Sequence, residues 1–200
     1  MNDNRWLQLL EDNPGHSSWY IERFRTMAAE GADLHGEARF VDAMVGREAR
    51  VLDAGCGPGR VGGRLAALGH TVVGVDLDPQ LIAAAEADHP GPTWLVGDLS
   101  VLDLPAAGVA EPFDVIVSAG NVMTFLDPAT RATVLTRLAA HLAPDGRIVV
   151  GFGSGRGYDY DEFFTDVVSA GLGEQLLLST WDLRPFGPDA DFLVAVLGPR

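Results

Sequence analysis

The 200-residue chain is acidic, with 28 Asp and Glu residues against 14 basic residues and a formal net charge of −14. Such a charge repels phosphate backbones and anionic lipid surfaces, so we expect no nucleic-acid partner and no membrane partner. All 14 basic residues are arginine, which excludes a Schiff-base lysine and the lysine of a phosphate-binding loop. The length fits one domain with a substantial core.

The cysteine content and the N-terminal residues bear on the cellular location of the protein. Cys56 is the single cysteine, which excludes an internal disulfide and a cysteine-rich metal site. The sequence shows neither the apolar stretch of a signal peptide nor a run long enough for a membrane-spanning helix. We therefore expect a cytoplasmic protein with no bound metal.

The first 46 residues have helical patterning. Helices are predicted over Ser17–Ala29 and Glu37–Val45, and the second has an apolar face that should pack on a sheet. The residues of this face are Phe40, Val41, Met44 and Val45. We interpret residues 1–46 as a helical cap and residues 47–200 as a cofactor-binding sheet, both within one domain.

From residue 50 onward, apolar strand-like runs alternate with helical patterns. The predicted strands are Arg50–Ala54, Thr71–Asp76, Thr93–Val96, Phe113–Ser118 and Arg147–Phe152. The predicted helices are Arg60–Leu68, Gln80–Asp88, Ala129–Leu142 and Tyr160–Ala170. Strands separated by helices of this length form a parallel sheet with helices on both faces.

The C-terminal part of the chain has a different pattern. Two further strands, Gln175–Leu183 and Asp191–Leu197, are joined by a short segment that favours an antiparallel hairpin. The whole pattern predicts an α/β fold with a doubly wound, Rossmann-like, seven-stranded sheet. This sheet is mostly parallel and has an antiparallel last strand.

The segment Val51–Gly59 combines an apolar strand, a carboxylate near its end and closely spaced glycines. Glycine lets the backbone approach a ligand closely, and the helix that follows directs its free N–H groups back toward the loop. Acidic residues stand at the ends of the first three strands, at Asp53, Asp76 and Asp98. Because ligands bind beyond the carboxyl ends of parallel strands, these side chains are expected to converge.

The glycine pattern alone fits two kinds of cofactor site. Gly57, Gly59 and Gly62 have the spacing of a dinucleotide-binding loop, whereas Gly55, Gly57 and Gly59 form a tighter pattern. Three other features favour the tighter pattern: Asp53 before the glycines, a Gly-Asp-Leu sequence after the third strand, and the C-terminal hairpin.

In this combination the chain resembles the class I S-adenosylmethionine-dependent methyltransferases from about Val45 to Leu197. The motifs that carry the resemblance are Val51–Arg60, Val73–Pro79, Gly97–Leu99, Phe113–Val122 and Leu142–Val150. Arg147 stands where the family often has a second glycine. The resemblance implies S-adenosylmethionine as the cofactor and methyl transfer as the activity.

The resemblance also implies roles for individual residues. Gly55 and Gly57 would approach the methionine part of the cofactor, and Asp53 would organise their loop. Asp76 would hold the ribose hydroxyls, and Asp98 would accept a hydrogen bond from the adenine amino group. Further lining residues, with the two leucines on the faces of the adenine ring, would be Leu77, Leu99, Ala119 and Gly120.

Residues outside these motifs supply the remaining candidates. Some similar enzymes use an N-terminal arginine for the cofactor carboxylate, which makes Arg39 a candidate for that contact. Tyr20, His16 and Asn121 are candidates for an acceptor contact or a general base, which is needed only if the acceptor must lose a proton. Weaker candidates for the same roles are Tyr158, Tyr160, Trp181 and Arg184. The cap and the aromatic segment Gly155–Phe164 are expected to select the substrate.

The motif at the end of the fourth strand limits the class of methyl acceptor. It reads Ser-Ala-Gly-Asn over Ser118–Asn121, where amide and nucleobase N-methyltransferases of this family carry Asn or Asp followed by two prolines and an aromatic residue. We therefore expect a small-molecule acceptor with an oxygen, nitrogen or carbon nucleophile, and either a monomer or a homodimer. Two alternatives stay open: an NAD-dependent oxidoreductase and a non-catalytic S-adenosylmethionine-binding scaffold.

Overall fold

The computed structural model describes residues 3–200, which form a seven-stranded sheet flanked by helices. The strands are β1 (Arg50–Ala54), β2 (Thr71–Asp76), β3 (Thr93–Val96), β4 (Phe113–Ser118), β5 (Leu142–Gly153), β6 (Leu172–Leu178) and β7 (Phe192–Pro199). The helices are α1 (Arg5–Asp12), α2 (His16–Ala29), α3 (Gly36–Met44), α4 (Arg60–Ala67), α5 (Pro79–Asp88), α6 (Val122–Phe125), α7 (Arg131–Ala140) and α8 (Tyr160–Ser169). Short 3-10 helices span Leu99–Val101 and Pro128–Thr130.

The strand order across the sheet is β3-β2-β1-β4-β5-β7-β6. Strands β1 to β5 pair in parallel, and β7 runs antiparallel to both β5 and β6. This topology confirms the predicted mostly parallel sheet with an antiparallel last strand. The order reverses between β1 and β4, which is the position where sheets of this kind bind ligands.

Consecutive apolar residues along the strands place the core on both faces of the sheet, because neighbouring side chains point to opposite faces. Leu52 of β1 belongs to a cluster that includes residues of α7 and α8, whereas its neighbour Val51 belongs to one with residues of α3 and α4. Phe40 and Val41 of α3 are buried in the second cluster. The expectation that this helical face packs on the sheet is therefore confirmed.

Side-chain caps fix the starts of two helices near the ligand-binding edge. The Oδ1 atom of Asn4 accepts hydrogen bonds from the backbone N–H groups of Trp6 and Leu7, at 3.0 and 3.3 Å, and so begins α1. Asp78 caps α5 by accepting from the backbone N–H of Gln80 at 2.8 Å. Such caps stabilise helix termini by about 1 kcal/mol each. The sequence pattern did not define α1 as a separate helix.

The largest differences from the predicted strand boundaries are in β6 and β5. The predicted strand Gln175–Leu183 is observed as β6, which ends at Leu178. Leu183 adopts a left-handed backbone conformation, with φ of 72°, that cannot continue a strand. Strand β5 begins at Leu142 instead of Arg147, and its pairing with β4 contains a register shift.

Candidate active site

One pocket lies beyond the carboxyl ends of β1, β2, β3 and β4. Its walls include every predicted cofactor-binding residue except Arg39, and they also include the acceptor candidate Tyr20. The predicted residues that the fold brings together here are Asp53, Gly55, Gly57, Asp76, Leu77, Asp98, Leu99, Ala119 and Gly120.

Two positions in the glycine loop between β1 and α4 accept only glycine. Gly55 has φ of 80°, and a Cβ atom there would lie 2.4 Å from a methyl carbon of Val122. Gly57 has φ of 54°, and its backbone N–H donates to Oδ2 of Asp76 at 2.8 Å. Both positions therefore require glycine for a conformational reason and, at Gly55, for a steric one.

Asp53 is buried beneath this loop. Its Oδ2 atom accepts a hydrogen bond from the backbone N–H of Gly62, in the first turn of α4, at 2.8 Å. Burial raises the pKa of Asp53 to about 7, because desolvation disfavours the charged carboxylate. The side chain thus ties the end of β1 to the helix that follows the glycine loop.

Asp76 stands at the end of β2, against the glycine loop. Its two carboxylate oxygens accept hydrogen bonds from the backbone N–H groups of Gly57, at 2.8 Å, and Asp78, at 3.0 Å. A carboxylate offers about four lone-pair positions, so these contacts leave capacity for a ligand. Burial raises the pKa of this carboxyl. Asp98 lies at the exposed end of the pocket, where it accepts from the backbone N–H of Ser100 at 2.8 Å.

Helices α1 and α2 are attached to the pocket edge through one buried carboxylate, Asp78. Its Oδ2 atom accepts from the indole Nε1 of Trp6 at 3.0 Å and from the hydroxyl of Ser17. Because the N–H of Asp78 bonds Asp76, a short chain of hydrogen bonds joins both helices to the pocket carboxylate.

Four aromatic rings form a continuous wall on the side of the pocket that faces these helices. We call them the aromatic wall; its members are Phe125, Trp6, Tyr20 and Phe24. Successive rings meet edge to face, with centroid distances of 5.8 Å for Phe125 and Trp6, 5.4 Å for Trp6 and Tyr20, and 5.0 Å for Tyr20 and Phe24. This geometry is favourable for aromatic pairs.

Arg39 does not reach the pocket. It is exposed and forms an ion pair with Asp33, with an N–O distance of 2.7 Å. The arginine that lines the pocket is Arg60, which follows the glycine loop and forms a two-pronged ion pair with Glu37 at 2.6 and 2.7 Å. It also donates to the backbone carbonyl of Leu34 at 2.6 Å. The sequence signal for Arg60 is its position next to the loop.

Asn121 and His16 occupy structural positions outside the pocket lining. Asn121 has φ of 66°, and its Oδ1 atom accepts from the backbone N–H of Gly153 at 2.8 Å. It therefore joins the ends of β4 and β5. His16 begins α2 and packs edge-on against Trp6, with ring centroids 5.0 Å apart.

The aromatic segment expected to select the substrate is mainly core. Tyr158 and Phe163 are fully buried, and the Tyr158 hydroxyl donates to Asp166 at 2.6 Å. The guanidinium of Arg131 lies 4.0 Å from the centroid of the Tyr158 ring. Tyr158 and Phe163 are therefore side chains of the protein interior, and a substrate role for the other residues of the segment stays a prediction.

The remaining weak candidates also lie outside the pocket lining. Tyr160 packs against Phe186, with ring centroids 5.5 Å apart. Trp181 packs against Phe40 at 5.7 Å, and Arg184 is exposed.

Within residues 3–200, no helix is both long and apolar enough to cross a membrane. Across the same span, no cluster of three or more His, Cys, Asp or Glu side chains has an arrangement that could hold a metal ion.

The sheet topology and the pocket at its switch point define a Rossmann-like methyltransferase fold. A family model described as "Methyltransferase domain" matches residues 51–146. A TehB-like SAM-dependent methyltransferase from Corynebacterium glutamicum has a similar structure, with a TM-score of 0.88 and 48% sequence identity. The similarity covers 94% of this chain and 100% of that one. The chain therefore belongs to the S-adenosylmethionine (SAM)-dependent methyltransferases.

Curated relatives match a shorter region. An uncharacterized methyltransferase from Mycobacterium tuberculosis is 35% identical over 122 residues, which is 60% of this chain and 58% of the relative. A ubiquinone biosynthesis O-methyltransferase from Cereibacter sphaeroides is 37% identical over 155 residues, covering 64% of this chain and 61% of the relative. The chain thus spans less than two thirds of the length of these relatives.

Proposed function

We propose that this protein transfers a methyl group from S-adenosylmethionine to a small-molecule acceptor. The observation that carries the proposal is the Asp76 carboxylate at the end of β2. It is held by the backbone N–H groups of Gly57 and Asp78, lines the pocket beside the glycine loop and has further lone-pair capacity for a ligand. This is the chemistry that the two hydroxyls of a ribose require.

The other pocket residues fit the remaining parts of the cofactor. A Cβ atom at Gly57 would lie 3.7 Å from the ring of Tyr20, and one at Gly120 would have no atom within 4 Å, so the backbone at both positions is open to a ligand. Asp98 would accept from the adenine amino group, and Leu77 and Leu99 would lie against the two faces of the ring. The carboxylates that line the pocket also suit a cofactor that carries a positive charge.

The cofactor supplies a methyl group that its positive sulfur already activates. The protein must therefore bind and align two molecules, and proximity and orientation can provide most of the rate enhancement. No described side chain in the pocket is required as a covalent nucleophile, and Cys56 is buried with its pKa raised well above the usual value for a thiol.

We further propose that residues 1–46 act as a cap over the site and that residues 47–200 bind the cofactor, as parts of one domain. Support comes from Trp6 and Ser17, which attach the N-terminal helices to Asp78 at the pocket edge. A cap that excludes water would shield the acceptor and the methyl donor from bulk solvent.

A small-molecule acceptor is supported by the acidic charge of the chain and by one relative. The net charge of −14 disfavours nucleic acid, and the C. sphaeroides relative is named as an O-methyltransferase of ubiquinone biosynthesis. We also propose a cytoplasmic location for the protein, which its single cysteine, a free thiol, supports.

A thermal-shift measurement tests the cofactor. The protein is heated alone and with S-adenosylmethionine, S-adenosylhomocysteine or NAD, each at a high concentration. A ligand present at about 100 times its dissociation constant adds about 2.7 kcal/mol to the free energy of unfolding, which is readily observed. Stabilisation by both adenosyl compounds and not by NAD is expected, whereas stabilisation by NAD alone would favour the oxidoreductase.

Formation of S-adenosylhomocysteine in the presence of candidate acceptors then tests catalysis. Acceptor-dependent formation is expected. A protein that binds the cofactor but transfers no methyl group to any acceptor of a broad panel would instead be the non-catalytic scaffold.

A further inference from the structure

The aromatic wall is the part of the pocket that the cofactor motifs do not explain. Its four rings come from α1, α2 and α6, whereas the motif residues follow the strands. The wall presents ring edges and faces, and its one unused polar group is the hydroxyl of Tyr20. Such a surface fits a planar, apolar molecule.

Tyr20 lies over the glycine loop. Its Cε1 atom is 3.7 Å from the position that a Cβ atom of Gly57 would occupy. Under the proposed function this is the methionine end of the cofactor, where the methyl group is transferred. Among the described residues, no hydrogen bond of the Tyr20 hydroxyl with another residue is found, so the group is available to a ligand. Burial raises the pKa of Tyr20, which keeps the phenol neutral and able both to donate and to accept.

The charged residues that line the pocket restrict the charge that the acceptor can carry. Within the described residues, Arg60 is the single cation of the lining, and both of its terminal nitrogens are engaged by Glu37. The carboxyl groups of Asp76 and Asp98 line the same pocket, whereas Asp53 is buried beneath the glycine loop and its pKa is raised to about 7. An anionic acceptor would therefore meet like charges without a free partner. An aliphatic amine would be held as its ammonium ion, which has no lone pair for attack.

We propose that the acceptor is a neutral, planar aromatic alcohol that packs against the aromatic wall, with its hydroxyl hydrogen-bonded to that of Tyr20. This proposal rests on the proposed function. In the reaction the acceptor oxygen forms a bond to the methyl carbon, and the bond between that carbon and sulfur breaks with its electron pair returning to sulfur. The acceptor proton passes to water, and the products are a methyl ether and S-adenosylhomocysteine.

Binding to the protein loaded with S-adenosylhomocysteine tests the acceptor class without any turnover. The probes are phenol, catechol and 2-naphthol, each paired with its saturated counterpart: cyclohexanol, cyclohexane-1,2-diol and 2-decalol. Each aromatic ring contact contributes enough to give about 3- to 10-fold tighter binding. At least one aromatic probe should therefore exceed its saturated partner by that factor, and 4-hydroxybenzoate should bind more weakly than phenol because of its carboxylate.

The variant Tyr20→Phe tests the hydroxyl alone, because it keeps the ring of the wall. It should weaken binding of the tightest aromatic alcohol by about 3- to 10-fold and lower kcat/KM for its methylation. Affinity for S-adenosylhomocysteine, the thermal midpoint and binding of naphthalene, which has no hydroxyl, should be unchanged. Tyr160→Phe is the matched control for binding, since Tyr160 lies outside the pocket lining, and it should leave the affinities for the aromatic alcohol, naphthalene and S-adenosylhomocysteine unchanged.

Three results would overturn the proposal: equal binding of the aromatic and saturated probes, tighter binding of 4-hydroxybenzoate than of phenol, or unchanged alcohol binding in Tyr20→Phe. The thermal shift with S-adenosylhomocysteine distinguishes failure of the acceptor class from failure of the proposed function. A protein that this ligand stabilises, but that binds no aromatic alcohol preferentially, contradicts the acceptor class and leaves the proposed function intact. Absence of stabilisation contradicts the proposed function itself.

Discussion

Replacing Trp6 by phenylalanine should loosen the attachment of the N-terminal helices to the pocket edge. The indole of Trp6 is 8% exposed, and its Nε1 atom donates to the buried carboxylate of Asp78 at 3.0 Å. Phenylalanine keeps an aromatic ring in the wall but removes this donor. Asp78 then retains the Ser17 hydroxyl and the backbone N–H groups of α5.

The size of the effect follows from these contacts. A hydrogen bond to a charged acceptor contributes about 2 kcal/mol, and the smaller ring removes about 1 kcal/mol of buried apolar contact. The free energy of unfolding should therefore fall by about 3 kcal/mol. For a chain of this length, that loss lowers the thermal midpoint by roughly 6 to 12 °C.

The assay is a double-mutant cycle with Asp78→Asn, measured by thermal and denaturant unfolding. Because both substitutions break the same bond, the effect of Trp6→Phe should shrink by at least about 1 kcal/mol when Asp78 is already replaced. Trp19→Phe is the control, since Trp19 is 54% exposed, and its midpoint should match the wild type. Strictly additive effects, or an unchanged midpoint in Trp6→Phe, would refute the reasoning.

Three further changes test other parts of the structure. Arg60→Ala should cost about 1–3 kcal/mol of stability by leaving the partly buried carboxylate of Glu37 without its partner, whereas Arg39→Ala, in an exposed ion pair, should leave the denaturant midpoint unchanged. Because the folded state raises the pKa of Asp53 to about 7, it holds a proton that the unfolded chain has lost. The free energy of unfolding of the wild type, measured by urea denaturation, should thus fall relative to that of Asp53→Asn as the pH rises from about 4 to 7. The same pH dependence in both proteins would contradict this. Gly74→Ala would place a Cβ atom 2.2 Å from a tryptophan ring and should cost about 1–3 kcal/mol, whereas Gly46→Ala, in open space, should unfold at the wild-type midpoint.

The fold could be predicted from sequence because its elements have local signals. Short runs of consecutive apolar residues define β1 and β2, and Asp78 with Pro79 marks the start of α5. The predicted extension of a strand to Leu183 is wrong because the strand end is set by a turn, and apolar residues in a turn resemble a strand. Helix α1 is not predicted separately, since its cap at Asn4 gives only a weak local signal.

The two halves of the pocket differ in how far sequence could define them. The residues at the strand ends, such as Asp76 and Asp98, could be placed because parallel strands bring their carboxyl ends to one edge. The aromatic wall could not, because its rings come from separate helices whose packing is set by tertiary contacts. For the same reason the sequence does not reveal that Tyr158 is buried, or that Arg60 lies at the pocket in place of Arg39.

Titration of S-adenosylhomocysteine into the wild-type protein, Asp76→Ala and Asp189→Ala by calorimetry tests the cofactor site most directly. Asp189 is an exposed acidic residue outside the pocket lining, so its variant controls for the loss of one negative charge. Two hydrogen bonds to a carboxylate predict at least about a 100-fold loss of affinity in Asp76→Ala, with wild-type affinity in Asp189→Ala. Tight binding that survives in Asp76→Ala, with a folded protein, would contradict the assignment of this pocket to the cofactor.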